Sequence, residues 1–353
     1  MPQLSISTIV TSTPMGAQAY QAQVIARAPE ALLDSPVPWR VRTLEVRSMR
    51  SALPGNRRLP LGRIARASPT VRRAVGRMLH AGDTVSHRMA LELPPSPHAD
   101  VVTLHDVVAW RFADESAPVP SAIDELRRSA AVVCVSAFTA AEAVHFLGIS
   151  DPHVVPNGVD PRYFDAPLPT AVQRRAWGAD GPYVLHAGGA AERKNLAALA
   201  EAWPAVRRAR PDLTLLLAGP PHPRRSALFH NMAGVRLLGR LPDGDMPQLV
   251  AGAAAVVVPS LYEGFGLPVL EAMAANVPVV AANTSSLPEV AAGHAILVEP
   301  DAASIAQGLT DATSGDPALS SLVRGGRMHA AEFTWERSAA GHAAVWRAVA
   351  DQF

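Results

Sequence analysis

Short apolar runs that alternate with helical patterns constrain the fold of this chain most strongly. In the first half these runs are Leu4–Val10, Val41–Val46, Asp100–Leu104, Ala131–Val135 and His153–Val155. In the second half they are Tyr183–His186, Leu213–Ala218, Val235–Leu238, Ala255–Pro259, Val277–Ala281 and Ala295–Val298. Apolar runs of roughly four to eight residues separated by helices are typical of parallel sheets that are covered on both faces.

Helical patterns occupy the stretches between most of these runs. They lie at Ala17–Ala28, Arg63–Leu79, Ser121–Arg128, Phe138–Leu147, Leu196–Arg208, Met246–Ala251, Pro268–Ala275 and Ala302–Ala312, and an amphipathic pattern covers 335–353. A turn signal at 157–160, followed by a Pro- and Gly-rich stretch, marks a boundary. We therefore predict an α/β fold with two Rossmann-like, doubly wound parallel-sheet domains at 1–160 and 161–334, with the helix 335–353 packing back on the first domain.

Composition excludes several classes of protein. No apolar run approaches the roughly 18–20 residues that cross a bilayer, and the N-terminus lacks the pattern of a secretory signal, so we expect none. Cys134 is the only cysteine among 353 residues, which excludes a disulfide framework and a cysteine-based zinc site. A reducing compartment fits best, and we expect a cytoplasmic protein.

The basic residues are unevenly chosen and unevenly placed. Lys194 is the single lysine among 32 basic residues, and it lies in the segment Glu192–Leu196. Between Arg40 and Arg88 there are twelve arginines opposed by one glutamate and one aspartate, although the chain as a whole carries +1. One interpretation is a solvated helix face; another is peripheral contact with an anionic membrane or a phosphate-bearing acceptor. Nucleic acid is disfavoured, because few aromatic residues interleave with the arginines.

The segment 260–273 carries the strongest chemical signal. It follows an apolar run and opens a helix at Pro268, and Gly264 and Gly266 allow the backbone to turn tightly beside a ligand. Free N–H groups and the helix dipole at such a start favour a phosphate or diphosphate. Glu263 and Glu271 flank this start, so each carboxylate could accept hydroxyls of a sugar at one end of a bound diphosphate. The segment thus indicates a cradle for a nucleotide sugar.

This segment resembles the E-x7-E motif of retaining glycosyltransferases, in particular glycosyltransferase family four, whose fold is GT-B. Further matches follow in the order of that family: Thr103–Asp106, Val135-Ser136, Val155–Asp160, His186–Gly189, Glu192–Leu196, Leu215–Gly219, Leu238-Gly239, Leu241-Pro242 and Ser285–Val290. The resemblance implies two domains that face each other across a cleft, with the acceptor on the first and the nucleotide sugar on the second. No family match covers Ser48–Ala99, where we expect acceptor specificity to lie.

The resemblance also implies roles for individual residues. Arg193 and Lys194 would neutralise the donor diphosphate, Glu263 would hold the transferred sugar, and Glu271 would hold the ribose. His105 would lie near the transferred sugar and the acceptor. Backbone groups complete the expected donor site, at Gly16, Gly188, Gly189, Gly219, Leu241, Gly264, Phe265, Gly266 and Leu267.

These features predict a retaining hexosyltransferase that needs no cofactor beyond its substrate. GDP-mannose is the first choice of donor, a UDP-sugar stays open, and the acceptor is a glycan or a lipid-linked molecule, as in cell-envelope glycan synthesis. We expect no metal, because Asp243-Gly244-Asp245 lies in a turn before a helix, where aspartate typically caps. A nucleotide-sugar epimerase and a non-catalytic scaffold of the same fold are the alternatives. No strand is followed by the G-x-G-x-x-G pattern of a dehydrogenase.

Overall fold

The computed structural model describes residues 1–12 and 16–352. The chain forms two compact units, Met1–Gly158 together with Trp335–Phe353, and Val159–Thr334. The division falls two residues before the boundary drawn from the sequence, and Phe353 itself lies outside the described residues. No helix in the described part of the chain is both long and apolar enough to span a bilayer.

The first unit is a parallel sheet with helices between its strands. Its strands are β1 (Gln3–Ile9), β2 (Arg40–Ser48), β3 (Arg57–Leu59), β4 (Val85–Arg88), β5 (Ala99–Leu104), β6 (Ala131–Cys134) and β7 (His153–Val154). Its helices are α1 (Gly16–Ala31), α2 (Leu61–Ala65), α3 (Pro69–Leu79), α4 (Val108–Arg111), α5 (Ala122–Arg128) and α6 (Ala137–Leu147). The strands lie in the order β3-β2-β1-β4-β5-β6-β7.

The second unit repeats this plan. Its strands are β8 (Tyr183–Ala187), β9 (Thr214–Ala218), β10 (Val235–Gly239), β11 (Ala255–Val258), β12 (Val279–Ala282) and β13 (Ile296–Val298). Its helices are α7 (Ala171–Ala176), α8 (Leu196–Ala209), α9 (Pro223–Leu228), α10 (Met246–Ala251), α11 (Leu267–Ala274), α12 (Leu287–Ala291), α13 (Ala302–Ala312) and α14 (Leu319–Ala330), and single 3₁₀ turns occur at Pro161–Tyr163 and Glu192–Lys194. The strand order is β10-β9-β8-β11-β12-β13, again all parallel.

The final helix, α15 (Trp335–Ala350), belongs to the first unit, where it packs beside α1. Trp335, Trp346 and Val349 are buried in the same core as Leu4 and Tyr20. The prediction of two Rossmann-like parallel-sheet domains is confirmed, because each strand order reverses once, as in a doubly wound sheet.

Three local predictions are wrong. The pattern Arg63–Leu79 forms two helices, α2 and α3, because Ser68 caps a new helix whose first residue is Pro69. The short edge strand β3 was missed. So was β4, whose sequence Val-Ser-His-Arg does not read as apolar although all four residues are buried.

Buried carboxylates make the polar strand β4 tolerable. Arg88 on β4 pairs with Asp100 at 2.8 Å and with Glu125 at 3.2 Å, and Arg72 on α3 pairs with the same Glu125 at 2.6 Å. Both guanidinium groups are fully buried and also donate to backbone carbonyls, including that of Leu93. Two of the twelve arginines in the basic segment therefore serve the interior, and the interpretation of that segment as a solvated face is wrong for them.

Candidate donor-sugar site

The site lies in the second unit, where the strand order reverses between β8 and β11. In a doubly wound sheet ligands bind outside the carboxyl ends of the strands at this point. The loop after β8 carries Gly188, Gly189, Arg193 and Lys194, and the loop after β11 carries 260–266. The two loops meet, since the amide of Leu261 donates to the carbonyl of Arg193 at 2.7 Å.

Glu263 is the centre of this junction. Its Oε1 lies 2.5 Å from Nζ of Lys194 and 2.7 Å from the hydroxyl of Ser260, and its Oε2 lies 3.3 Å from Nη1 of Arg193. The carboxylate is only 10% exposed, and the two cations are 18% and 15% exposed. The structure therefore brings together Arg193, Lys194 and Glu263, as the sequence predicted.

The charges of this cluster fix the protonation of Glu263. Burial alone would raise the pKa of its carboxyl group, but the charges of Lys194 and Arg193 and the hydrogen bonds from Lys194 and Ser260 outweigh that, and the pKa is lowered. The group is therefore an ionised acceptor of hydrogen bonds. It is suited to sugar hydroxyls and unsuited to a role as a general acid.

Backbone geometry holds Glu263 and the start of α11 in place. The amide of Glu263 donates to Ser285 Oγ at 3.0 Å, and Ser286 Oγ lies 2.9 Å from the carbonyl oxygen of Glu263 and 2.8 Å from that of Phe265. Gly266 has φ +108° at the N-cap of α11, and a Cβ there would lie 2.8 Å from Leu287. The side chain of Phe265 is buried, so this segment presents its backbone.

Glu271 lies one turn into α11 and has a different environment. Burial raises the pKa of its carboxyl group to about 7, the charge of Asp160 acts in the same direction, and a hydrogen bond from the Tyr163 hydroxyl opposes them. Tyr163 itself is buried in the 3₁₀ turn that opens the second unit. Two carboxyl groups on one short segment thus differ, one firmly ionised and one titrating near neutrality.

The glycine residues predicted for the donor site lie at strand ends of the same sheet. Gly188 N donates to Ala218 O at 3.0 Å, and Gly219 N donates to Gly239 O at 2.9 Å, so the loops after β8, β9 and β10 are joined. Leu241, half-buried, lies in the loop between β10 and α10. Gly264 and Leu267 lie at the start of α11, next to Gly266.

The residues predicted in the first unit are Gly16 and His105. Gly16 is the first residue of α1. His105 follows β5 and lines an open cavity of about 850 Å³ together with Arg66, Asp106 and Trp110. Burial lowers the pKa of its imidazole to about 4, the charge of His342 contributing, so the ring is neutral at physiological pH.

A chain of buried hydrogen bonds lies behind His105. The indole of Trp346 can only donate, so Nδ1 of His87 accepts, and the carbonyl of Ser338 can only accept, so Nδ1 of His342 donates. From donor to acceptor the groups are Trp346 Nε1, His87, Thr103 Oγ1, Tyr20 Oη, His342 and Ser338 O, with donor–acceptor distances of 3.2, 2.8, 3.0, 2.6 and 2.7 Å. His87 is neutral because its Nδ1 accepts, and His342 is neutral at physiological pH because burial lowers the pKa of its imidazole to about 4.

Several residues that shape the site were missed. Ser285, Ser286 and Asn195 stand inside motifs that were recognised, yet their roles are contacts across the fold; Asn195 Nδ2, for example, donates to Pro259 O at 3.0 Å and to Pro300 O at 2.8 Å. Tyr163 and Arg225 belong to no motif. Their only signal in the sequence is a bulky polar residue beside a strand or a linker, which many surface residues share.

The expectation for Asp243–Asp245 is partly wrong. The turn forms, with Asp245 N donating to Pro242 O at 2.9 Å, and Asp245 occupies the N-cap position of α10. Its side chain makes no capping hydrogen bond, because its backbone is already helical there. Metal independence stays a prediction.

Two family models match this chain. Residues 13–163 match the family model described as Glycosyltransferase Family 4, and residues 181–314 match the model described as Glycosyl transferases group 1. The first match lies mainly in the first unit and the second lies within the second unit, and together they include every predicted site residue.

Curated relatives are similar over part of their length. An O-antigen chain mannosyltransferase B of Escherichia coli is 29% identical over 162 residues, 44% of this chain and 42% of that protein. A D-inositol 3-phosphate glycosyltransferase of Jonesia denitrificans is 30% identical over 271 residues, 69% of this chain and 64% of that protein. A phosphatidyl-myo-inositol mannosyltransferase of Propionibacterium freudenreichii is 33% identical over 175 residues, 48% and 42% respectively. The matches thus span less than two thirds of each of these relatives.

Solved structures share the whole architecture at low identity. A sucrose-phosphate synthase of Thermosynechococcus elongatus has a TM-score of 0.79 at 21% identity and covers all of both chains. WaaG, a glycosyltransferase involved in lipopolysaccharide biosynthesis, has a TM-score of 0.73 at 15% identity and covers 97% of this chain and 99% of its own. With both family models, the E-x7-E segment and this GT-B fold, the chain belongs to glycosyltransferase family four.

Proposed function

We propose that this protein transfers a hexose from a nucleoside diphosphate sugar to a glycan or lipid-linked acceptor, with retention of configuration. The observation that carries the proposal is the clamp of Glu263 between Lys194 and Arg193, at the N-terminus of α11. Cations and free N–H groups suit the diphosphate, and an ionised carboxylate beside them suits the hydroxyls of the sugar.

In the proposed reaction the bond between the anomeric carbon and the diphosphate oxygen breaks, and a bond from that carbon to the acceptor oxygen forms. Lys194 and Arg193 stabilise the charge that develops on the leaving diphosphate. The acceptor proton passes to the leaving phosphate, so no dedicated protein base is needed. This fits a cluster in which Glu263 is held ionised by its neighbours and bound to them.

GDP-mannose is the donor we propose first. Two of the relatives are named as mannosyltransferases. Glu271 would accept the ribose hydroxyls of any nucleotide, and this role does not select the base. A UDP-sugar is the second choice to be tested.

The acceptor is proposed to bind the first unit in the cavity beside His105. Trp110 offers an aromatic face on which a sugar ring can stack, and Asp106 and Arg66 offer polar contacts for hydroxyl or phosphate groups. His105, neutral at physiological pH, can donate or accept a hydrogen bond there.

A lipid-linked acceptor is proposed because of the surface formed by α2 and α3. A groove of about 530 Å³ there is lined by apolar side chains, among them Val71, Val75 and Met78, with Arg57 and Arg63 at its edge. Met78 is 82% exposed, and Arg73 and Arg77 on the same helix are also exposed. An apolar stripe bordered by arginines is complementary to an anionic lipid surface.

The experiment that tests the proposal has two steps. A thermal-shift panel of GDP, UDP, TDP and ADP, each with its sugars, should give one nucleotide that raises the melting temperature well above the others. That donor is then incubated alone and with acceptor extracts, and products are identified by mass spectrometry and NMR. Stabilisation by none of the nucleotides would contradict the proposal, and an isomerised donor formed without acceptor would replace it with the epimerase.

Membrane contact is tested with vesicles. Co-sedimentation with anionic vesicles at low salt should be reduced in Met78→Ser and in Arg73→Ser, and should fall as salt is added. Leu33→Ser is a matched control, because Leu33 is exposed on the same unit at the end of α1 and lies outside this groove. No binding of the unmodified protein to anionic vesicles would remove the support for a lipid-linked acceptor.

A further inference from the structure

Arg225 on α9 is a buried cation that has no carboxylate partner in the described part of the chain. It is 2% exposed, and burial lowers the pKa of its guanidinium group. Its terminal nitrogens donate to the carbonyls of Gly188, Gly189 at 2.9 Å and Pro220 at 3.0 Å, whereas its Nε is buried without a hydrogen-bond partner. Carbonyl dipoles satisfy part of this group, but they do not neutralise its charge.

The buried arginines of the first unit show how this chain otherwise treats such a charge. Arg72 and Arg88 each lie against one or two carboxylates at 2.6–3.2 Å. A buried cation that lacks such a partner costs several kcal/mol of stability, so it persists where something else offsets the cost. Arg225, unlike Arg72 and Arg88, is buried without a carboxylate partner in the described part of the chain, and it lies at the loop predicted to bind the donor.

The surroundings of Arg225 are strongly positive. His186, at the end of β8, is buried with its Nδ1 unpartnered, and the pKa of its imidazole is lowered to about 3 by burial and then by the charges of Arg225 and Lys194. Arg193 and Lys194 lie against the ionised carboxylate of Glu263, and Arg225 brings a further positive charge to the same neutral imidazole. Arg225 thus adds a positive charge that no carboxylate among the described residues pairs with, and such a charge suits a diphosphate.

The backbone is adapted to bring Arg225 to this place. Gly219 has φ +144°, and a Cβ there would lie 3.0 Å from both terminal nitrogens of Arg225 and would collide with the carbonyl of Gly188. Only glycine allows the loops after β8 and β9 to approach so closely with the guanidinium group between them. A Cβ on Gly188 would lie 3.5 Å from the ring of His186, so this imidazole adjoins the same loop.

We propose that Arg225 is a third cation of the donor diphosphate site, acting as a positioning residue. Its fork holds the carbonyls of Gly188 and Gly189, and its uncompensated charge attracts the diphosphate bound over that loop. The inference rests on the proposed function, because it assigns a residue to the same donor site. It commits to a ligand class, a diphosphate, and it needs no particular base or sugar.

Calorimetric titration of the full chain with inorganic pyrophosphate, in metal-free buffer, tests this. The unmodified protein should bind it, and Arg225→Met should weaken binding by about ten- to a hundredfold, because a cation is lost from a poorly solvated position near the diphosphate. Arg225→Lys, which keeps the charge, should recover most of the loss. Arg236→Met is the matched control, since Arg236 is an exposed arginine on β10 of the same unit, and it should bind as the unmodified protein does.

A neutral ligand separates charge from loop structure. The nucleoside of the diphosphate that stabilises the protein should bind Arg225→Met as well as it binds the unmodified chain. Equal loss of nucleoside and pyrophosphate would overturn the inference, because a collapsed loop would then explain both. If Arg225→Met does not fold, Arg225→Gln, which keeps a donor for the carbonyls but no charge, takes its place.

The variant Lys194→Ala distinguishes failure of the proposed diphosphate site from failure of the proposed role of Arg225. If the unmodified protein does not bind pyrophosphate, the proposed diphosphate site itself fails. A different result would overturn only the role of Arg225. In that case the unmodified protein binds pyrophosphate, Lys194→Ala loses binding, and the affinity of Arg225→Met stays within about twofold of that of the unmodified protein. Loss in Arg225→Lys as large as in Arg225→Met, with both variants folded, would likewise overturn a role for the charge.

Discussion

The two units share one topology but bury their charged groups in different places. In the first unit, Arg88 and Asp100 lie on central strands, and Arg72 and Glu125 close over them, so that charges are neutralised within the interior. In the second unit the central strands β11 and β12 are apolar, and Lys194, Glu263 and Arg225 gather beyond the strand ends, where Arg225 has no carboxylate partner among the described residues. Balanced charges support a fold, whereas unbalanced charges at a strand end prepare a site for a ligand.

The largest expected effect is on the stability of the first unit. Glu125→Gln leaves Arg72 and Arg88 buried without their shared carboxylate, and we expect the free energy of unfolding to fall by about 3–5 kcal/mol. Chemical denaturation measures this. The control is Glu336→Gln, whose partner Arg27 lies at the surface, with an expected loss of about 0–1 kcal/mol. Equal losses in the two variants would mean that the buried cluster does not set the stability of this unit.

In the second unit, substitution of the charged residues should affect catalysis more than stability. Lys194→Ala and Glu263→Ala should each lower turnover by about two to three orders of magnitude, because each removes a charge at the diphosphate or the sugar. Both variants should stay folded and lose less stability than Glu125→Gln, because Lys194 and Arg193 are partly exposed to solvent. Steady-state kinetics beside a thermal melt measures both. Near-normal turnover in either folded variant would contradict the assignment of the site and erase the contrast between the units.

Acid should unfold the first unit before the second. His87, His105 and His342 have lowered pKa values there, about 4 for the latter two, against about 6.5 in an unfolded chain. The unfolded state thus binds more protons between these values, so stability is complete above about pH 6.5 and falls as the pH drops towards 4. Between pH 7 and about pH 5.5 the expected loss is about 1–2 kcal/mol for His105 and the same for His342.

Hydrogen exchange followed by mass spectrometry resolves this effect by unit. Protonating His342 would place a proton opposite the Tyr20 hydroxyl, and protonating His87 would place one opposite the Trp346 indole, so the hydrogen-bond chain breaks. Peptides of β4, β5 and α15 should lose protection first on acidification. Earlier loss of protection in β8 or β11 would contradict this expectation, because three of the buried imidazoles with lowered pKa values lie in the first unit.

The smallest effect expected is on nucleotide affinity. The pKa of Glu271 is raised to about 7, and only its ionised form accepts two ribose hydroxyls, so affinity should fall about tenfold from about pH 8 to pH 6. In the free protein the same shift favours the folded state at low pH, and that benefit disappears as the pH rises through 7. Titration of the best nucleoside diphosphate into Glu271→Gln controls for protonation of the phosphate. An identical pH dependence in that variant would remove Glu271 from the ribose site.

The sequence predicts the strands whose buried residues are apolar, and it fails for strands whose buried residues are polar. Strands such as β11, Ala-Val-Val-Val, are buried on both faces and read as apolar runs, which is why the alternation and both domains were predictable. Strand β4 was not, because His87 and Arg88 are made tolerable by Thr103 and Asp100, partners more than ten positions away. Pro69 did mark the break between α2 and α3, but an amphipathic pattern on both sides of it hid the signal.

The same distinction applies to the site. Glu263, Glu271 and Lys194 could be predicted because they stand in short segments whose spacing reflects one loop and one helix turn. The contacts that orient them come from elsewhere in the chain, such as Ser285 and Ser286 to the Glu263 backbone. Neither the spacing nor the composition around Arg225 reveals that its charge is buried, since burial depends on the fold of β8 and β9.

Helix α15 imposes an order on biosynthesis. Its tryptophans complete the core around β1, β4 and β5, yet the ribosome makes them after the whole of the second unit. The second unit is one continuous stretch and can fold as it emerges, whereas the first must wait, with the apolar surface around Tyr20 open, until its closing helix arrives. A nascent chain stalled before residue 335 should therefore depend on chaperones for the half that was translated first.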